Sequence, residues 1–252
     1  MRVPTGLQPY DPIAFAYDLL VPGHVHDSWL EGIERLALAH GLAGRRVLDV
    51  ACGTGKSFAP LLQRGYAVTA CDVSPRMAAL AKLRAEGRAH IFVADMRALP
   101  ALDPFDLITC LDDAVCHLLS AQDVLAALHG IRRNLAPGGL AVFDVALPRA
   151  YAEAADAIAG DDRHVVLWRA PEARGAEVDV RVDVFTERPD GLYERARLHQ
   201  RHRRHRVDVL RALAARAGLT VLAVHGQQAG GVLCPDLDEA RHRKALFVVT
   251  RR

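Results

Sequence analysis

Through the first half of the chain, short runs rich in Val, Ile and Leu alternate with longer segments whose apolar positions recur at helical spacing. The runs Arg46 to Ala51, Ala67 to Asp72, Ala89 to Val93, Phe105 to Leu111 and Leu140 to Val145 are apolar almost throughout. Parallel strands covered by helices on both faces have that character. Between them the spacing predicts helices, for example Pro75 to Glu86 and Ala121 to Leu135. An earlier helix is predicted from Ser28-Trp29-Leu30-Glu31. This fits a capping box in which Ser28 accepts an early N–H and Glu31 reaches back. Ile33, Leu36, Ala37 and His40 follow at helical spacing, and Gly41 is placed to end the helix. Repeated β-α-β units with right-handed crossovers predict an α/β fold with a doubly wound, mostly parallel sheet.

After Pro148 the period changes. Val178, Val180, Val182 and Val184 alternate with Glu, Asp and Arg residues, as in a strand buried on one side. Pro189-Asp190-Gly191 signals a turn, and Leu192 to His202 is expected to return as the antiparallel partner. A helix is predicted over Val207 to Ala217, then strands over Leu219 to Val224 and Ala245 to Thr250. The chain thus reads as a parallel core, an inserted antiparallel β-hairpin, and the end of the core.

Composition narrows the function more than the fold. Of 252 residues, 51% are hydrophobic and 25% charged, which excludes a disordered or fibrous chain. With 32 Lys+Arg against 30 Asp+Glu the net charge is +2, too small a basic excess to suggest a nucleic-acid partner. The five cysteines form no C-x-x-C pair, so neither a disulfide scaffold nor a metal site is expected. The stretch Met1-Arg2-Val3-Pro4-Thr5-Gly6 lacks the apolar block of a secretion signal, and no apolar run approaches the ~20 residues that span a bilayer. The expectation is a cytoplasmic protein with no membrane partner, either monomer or homodimer.

The most informative segment is Val47-Leu48-Asp49-Val50-Ala51-Cys52-Gly53-Thr54-Gly55, an apolar strand running into Gly-x-Gly and then a helix. Glycines there let the backbone turn tightly and a ligand approach. Gly55-Lys56-Ser57 copies the end of a P-loop, but Val50 stands where the first glycine belongs. A dinucleotide fingerprint wants a third glycine where Phe58 stands, which disfavours an oxidoreductase. A glycine turn without a ligand is the simplest reading of Gly-x-Gly alone.

The segment resembles the first motif of the class I S-adenosylmethionine-dependent methyltransferases, seen here as Leu48-Asp49-Val50-Ala51-Cys52-Gly53-Thr54-Gly55. Further matches follow in order: Asp72 ending the second strand, Val93-Ala94-Asp95-Met96 after the third, Leu111 after the fourth, and Leu135-Ala136-Pro137-Gly138-Gly139 before the fifth. The resemblance implies S-adenosylmethionine as cofactor, with Ala51 and Gly53 beneath it. Asp72 would hold its ribose diol, Asp95 its adenine amino group, and Val73, Met77 and Met96 the purine faces, with Leu111 beside the sulfonium. Asp49 has two readings: it pins the loop through backbone N–H groups, or it attracts the ligand's ammonium. The resemblance also implies one methyltransferase domain over 1–252, with a core at 41–147 and 206–252, an N-terminal helical lid at 1–40, and an inserted substrate cap at 148–205.

Phe15-Ala16-Tyr17-Asp18 resembles the segment that folds over the ligand in amino-sugar and glycine-type N-methyltransferases. Tyr17 is therefore a catalytic candidate. His117, in Leu111-Asp112-Asp113-Ala114-Val115-Cys116-His117-Leu118, falls where those relatives carry a histidine facing the acceptor. It is the candidate base, since histidine titrates near neutrality. Asp112-Asp113 departs from the family pattern and either orients a cationic acceptor or caps the next helix; His24 and His26 are further contenders. The run Arg195 to Arg206, with six arginines and His199, His202 and His205, reads first as a solvated hairpin strand. The expected activity is methyl transfer to a nitrogen or oxygen of a small-molecule acceptor in specialised metabolism. The alternative is a cyclase or lyase that binds the cofactor without methylating.

Overall fold

The computed structural model describes residues 10–19 and 23–251, with the side chains at 23–26 and 28 excepted. The side chains of His24 and His26, and the Met1–Gly6 stretch, lie outside the described residues. The predicted parallel strands form where the apolar runs place them: β1 (Arg46–Val50), β2 (Ala67–Asp72), β3 (Ala89–Val93), β4 (Phe105–Cys110) and β5 (Leu135–Ala146). All their mutual pairings are parallel. β10 (Leu219–Gln227), β11 (Leu233–Cys234) and β12 (Lys244–Arg251) complete an eight-stranded sheet of order β11-β10-β12-β5-β4-β1-β2-β3. β12 runs antiparallel between β5 and β10. The order reverses direction at β1, and the carboxyl ends of β1 and β4 open there into the crevice where ligands of such sheets bind.

Successive strand residues face opposite layers. Leu48, Ile108, Phe143 and Phe247 join α4 (Ala121–Asn134) and α6 (Val207–Arg216) in one buried cluster. Val47, Leu107, Val142 and Val248 join α1 (Gly23–Ala39) and α3 (Pro75–Ala85) in the other. α3 starts with Ser74 accepting from Met77 N and Pro75 in the first turn. The Pro-Gly-Gly turn lies within the β5 span: β5 pairs with β4 at Leu135 and again at Leu140, and the residues between loop out, with Gly138 at φ +75°.

One expectation is corrected, and the inserted hairpin, which forms as expected, is enlarged. Ser28 lies inside α1, not at its start. An N-cap needs a non-helical backbone, so the capping box does not form; Trp29, Leu30, Ile33 and Ala37 bury against the sheet and anchor a helix that begins earlier. The inserted hairpin is a four-stranded antiparallel sheet, β6 (Ala157–Gly160), β7 (His164–Arg174), β8 (Glu177–Glu187) and β9 (Tyr193–Arg203). β6 is short and largely exposed, and β7 carries Pro171 within a register shift, so neither shows a clean alternation. Val166, Val182, Val184 and Leu198 of this sheet pack on Ile13 and Ala16 of a 3-10 helix, Asp11–Leu19. The helix α2 (Ala59–Gln63) follows the glycine loop, and α5 (Pro148–Ala152) links the two sheets. Among the described residues no helix is long and apolar enough to cross a membrane.

Candidate active site

A cleft opens where β1, β2 and β4 end. Its walls include Ala51, Gly53, Asp72, Val73, Met77, Met96, Leu111, Tyr17 and His117. Nine of the eleven residues singled out from the sequence thus meet in one place; Asp49 and Asp95 are not among those that line it.

The turn after β1 is built for close approach. Gly53 has φ +54°, and a Cβ added there meets nothing within 4 Å among the described residues, so the loop presents bare backbone to the cleft. Gly55 serves packing instead: a Cβ there would come within 2.6 Å of the fully buried Phe58 ring. Phe58 therefore fills the space that a dinucleotide fold keeps for its third glycine. Asp49, 1% exposed, accepts from Thr109 Oγ1 at 2.6 Å and from Ser57 Oγ. It thereby ties β4 and the residue after the loop to β1.

Asp72, 8% exposed, accepts from Gly53 N at 2.9 Å and from Ser74 N at 2.8 Å. Burial raises its carboxyl above the ordinary range, and the backbone N–H bonds work against that rise. The two sheet ends are thus locked together by a carboxylate that also faces the cleft. Asp95 accepts from Arg97 N at 2.9 Å and from Arg97 Nη2 at 2.6 Å. Burial opposes its charge, but Arg97 outweighs burial and holds it below the ordinary value. The set fits the implied cofactor: bare backbone at the turn, a carboxylate for a diol, and thioether and aliphatic faces for a purine.

The 3-10 helix crosses the cleft and is fastened at both ends. Asp18 accepts from Thr54 Oγ1 at 2.7 Å, pairs with Lys56 and Arg84, and its carbonyl accepts from Lys56 Nζ at 3.1 Å. Asp11 accepts from Ser74 Oγ and from Arg76 N. Tyr10, just before the helix, and Tyr17 within it meet edge to face at 5.2 Å. The Tyr10 hydroxyl lies 3.5 Å from His117 Nε2, and the His117 and His202 rings meet edge to face at 4.3 Å. Burial raises both phenols, so at neutral pH they keep their protons and can donate as well as accept. Burial lowers His117 to about 4, and it lowers His202 well below the ordinary value, with His117 adding to the effect. The near-neutral titration expected of His117 is thereby corrected: its ring stays uncharged because the pocket desolvates it.

Asp112 and Asp113 both adopt left-handed backbone, φ 58° and 62°, a strained pair right after β4. Asp113 N donates to Asp144 Oδ1 at 3.1 Å. Lys244 Nζ reaches Asp144 at 2.8 Å, Asp113 at 3.3 Å and Asp112 at 3.6 Å, and lies 5.0 Å from the Trp29 ring centre. Burial raises Asp144 and Asp113, with Lys244 opposing; Lys244 itself is raised, because the three carboxylates outweigh its own desolvation.

Sequence reasoning gave no individual role to Tyr10, Asp18, Asp144, Gln200, His202 and Lys244. Three had readable signals. Asp144 is an acid inside the apolar run Val142-Phe143-Asp144-Val145, and a buried charge demands a partner. Gln200 and His202 share the parity of Leu198, and they sit opposite Val180 and Val178, so they face inward. The arginines of that run face the other way, with Arg195 and Arg197 on Asp183 and Arg201 on Glu177.

Comparisons with known proteins agree with this geometry. Residues 47–139 match a family model described as a methyltransferase domain. The chain is 29% identical over 255 residues to the cypemycin N-terminal methyltransferase of a Streptomyces species, covering 98% of this chain and 96% of that one. It is 33% identical over 98 residues to a dTDP-4-amino-2,3,4,6-tetradeoxy-D-glucose N,N-dimethyltransferase of Saccharopolyspora spinosa, 39% of each chain. In fold it is similar to an amino pentose methyltransferase of Micromonospora echinaspora solved with S-adenosylmethionine bound (TM-score 0.72, 23% identity, all of both chains covered).

Proposed function

Because the chain is a class I S-adenosylmethionine-dependent methyltransferase, we propose that it methylates an amine nitrogen of a small molecule in specialised metabolism. The observation that carries this reading is the uncharged His117 ring held beside Tyr10 in the cleft that Asp72 closes. Two relatives named as sugar N,N-dimethyltransferases support it.

When bound, S-adenosylmethionine supplies a methyl carbon already activated by its sulfonium. The protein therefore needs alignment more than a strong acid. In this reading Asp72 accepts from the ribose diol, Val73, Met77 and Met96 enclose the purine, and Leu111 stands beside the sulfonium. Asp95 stands at the purine's amino edge with its charge fixed by Arg97. Ala51 and Gly53 offer bare backbone to the amino-acid end, and Asp49 acts from behind by bracing the loop. A neutral His117 accepts one N–H of the acceptor and turns its lone pair toward the methyl. Tyr17, a donor at neutral pH, directs its hydroxyl into the same space. An amine needs no deprotonation beyond its own neutral form, whereas an alcohol requires a base stronger than this imidazole.

The test is incubation of the purified protein with methyl-labelled S-adenosylmethionine and a panel of amines, phenols and alcohols. Labelled N-methyl product with equal S-adenosylhomocysteine is the expected result. Label on oxygen alone overturns the amine assignment, and turnover without S-adenosylhomocysteine selects the cyclase or lyase.

A further inference from the structure

The lysine of Gly55-Lys56-Ser57, a P-loop ending without the P-loop's first glycine, fastens the 3-10 helix through Asp18 and also lines the cofactor cleft. It stands in the turn between the glycine loop and α2, with its side chain 18% exposed.

We infer that Lys56 takes the carboxylate at the amino-acid end of S-adenosylmethionine, so that one ammonium joins the cofactor to the helix crossing the cleft. The inference rests on the cofactor reading above and adds the cation that recognises its acid group.

The charges along the cleft set the place. Tyr10 and Tyr17 keep their protons, burial raises the Cys52 thiol, and His117 is uncharged. Among the described lining residues, the side chains left to carry charge are Asp72, Asp112 and Lys56. Either aspartate repels a carboxylate, and a carboxylate drawn out of water needs a partner. Three amides of the turn are committed elsewhere: Cys52 N donates to Cys71 O at 3.0 Å, Gly53 N to Asp72, and Gly55 N to Cys52 O at 2.9 Å. The same commitments deny Lys56 the cradle of N–H groups that a phosphate requires.

Lys56 is placed to serve two partners. Its Nζ donates to the Asp18 carbonyl at 3.1 Å and lies 3.6 Å from the Asp18 carboxylate. That carboxylate also takes Thr54 Oγ1 and Arg84, so its one negative charge is divided between two cations. An ammonium is a compact charge with three donors on a flexible stem, which suits it to hold the carbonyl and a ligand's carboxylate together.

Calorimetric titrations test this with two probes, S-adenosylhomocysteine and its decarboxylated analogue, which keeps the nucleoside, the thioether and the amine. The parent protein should bind the first about tenfold or more tightly than the second. Lys56→Met should erase that preference by weakening S-adenosylhomocysteine alone. Lys56→Arg, which retains the charge, should keep a preference of about threefold or more. Should the methionine variant not fold, Lys56→Gln repeats the test while keeping a donor for the Asp18 carbonyl. A lysine that merely holds the helix behaves differently, since loosening the helix weakens both probes by the same factor. Equal weakening overturns the inference, as does a parent without the preference or a Lys56→Met protein that retains it. If neither probe binds the parent, the cofactor reading falls; if both bind alike, only this inference does.

Discussion

At the scale of single residues, the two carboxylates named first from the sequence have different tasks. Asp72 faces the cleft with backbone N–H groups already on it, so Asp72→Ala removes both a ligand contact and the tie between β1 and β2. Its S-adenosylhomocysteine dissociation constant should rise about tenfold or more by titration calorimetry. An unchanged isotherm removes the ribose assignment. His117 makes a sharper prediction about pH. With its imidazole at about 4, it contributes no inflection to the activity profile between about pH 5 and pH 8. His117→Gln should slow turnover about ten- to a hundredfold yet keep the shape of the profile and the cofactor affinity. A limb near pH 6.5 that vanishes in the variant would restore the sequence-based view of a near-neutral base. That view could not be corrected from the sequence, because residues 10 and 202, distant along the chain, pack against the ring.

Among the elements, the parallel strands were legible from the sequence, since β1, β2, β4 and β5 are largely buried on both faces; the edge strand β3 buries only Ile91 fully but keeps an apolar run. The small second sheet was half legible. Its β8–β9 pair announces itself through the valine alternation and Pro189-Asp190-Gly191, while β6 and β7 depend on tertiary cover that their own residues do not encode. The clasp formed by the 3-10 helix was visible only as a resemblance at Tyr17; its strength lies in Asp11 and Asp18, which reach partners 36 to 66 residues away. Asp18→Asn keeps one acceptor for Thr54 and discards two ion pairs that are partly open to solvent. Screening limits the expected loss to about three- to tenfold in cofactor affinity, and added salt should weaken the parent protein toward the variant. Equal salt responses in both would show that the clasp holds through its hydrogen bonds alone.

For the molecule as a whole, burial of His117, His202 and His205 in uncharged form ties stability to pH. Each is lowered in the folded state, so below about 6.5 the unfolded chain binds protons that the folded chain refuses. Stability is therefore lost as pH falls through that window. Asp113 and Asp144 act in the opposite sense, being raised by burial and so more readily protonated when folded. A single substitution isolates the histidine contribution. Between pH 7 and about pH 5, His117→Phe should lose less stability than the parent by about 1–2 kcal/mol, a few degrees in Tm by calorimetry. Parallel curves for the two proteins would mean that water reaches the ring.

The antiparallel β12 sits between β5 and β10, yet it comes from residues 244–251, later in the chain than every strand it joins. During synthesis the earlier half of the sheet must wait with one margin open, and Asp144 must wait without its ammonium, until Lys244 leaves the ribosome. Translation that stops short of this strand releases a polypeptide with a bare β margin, a substrate for proteases and self-association rather than a weakened catalyst.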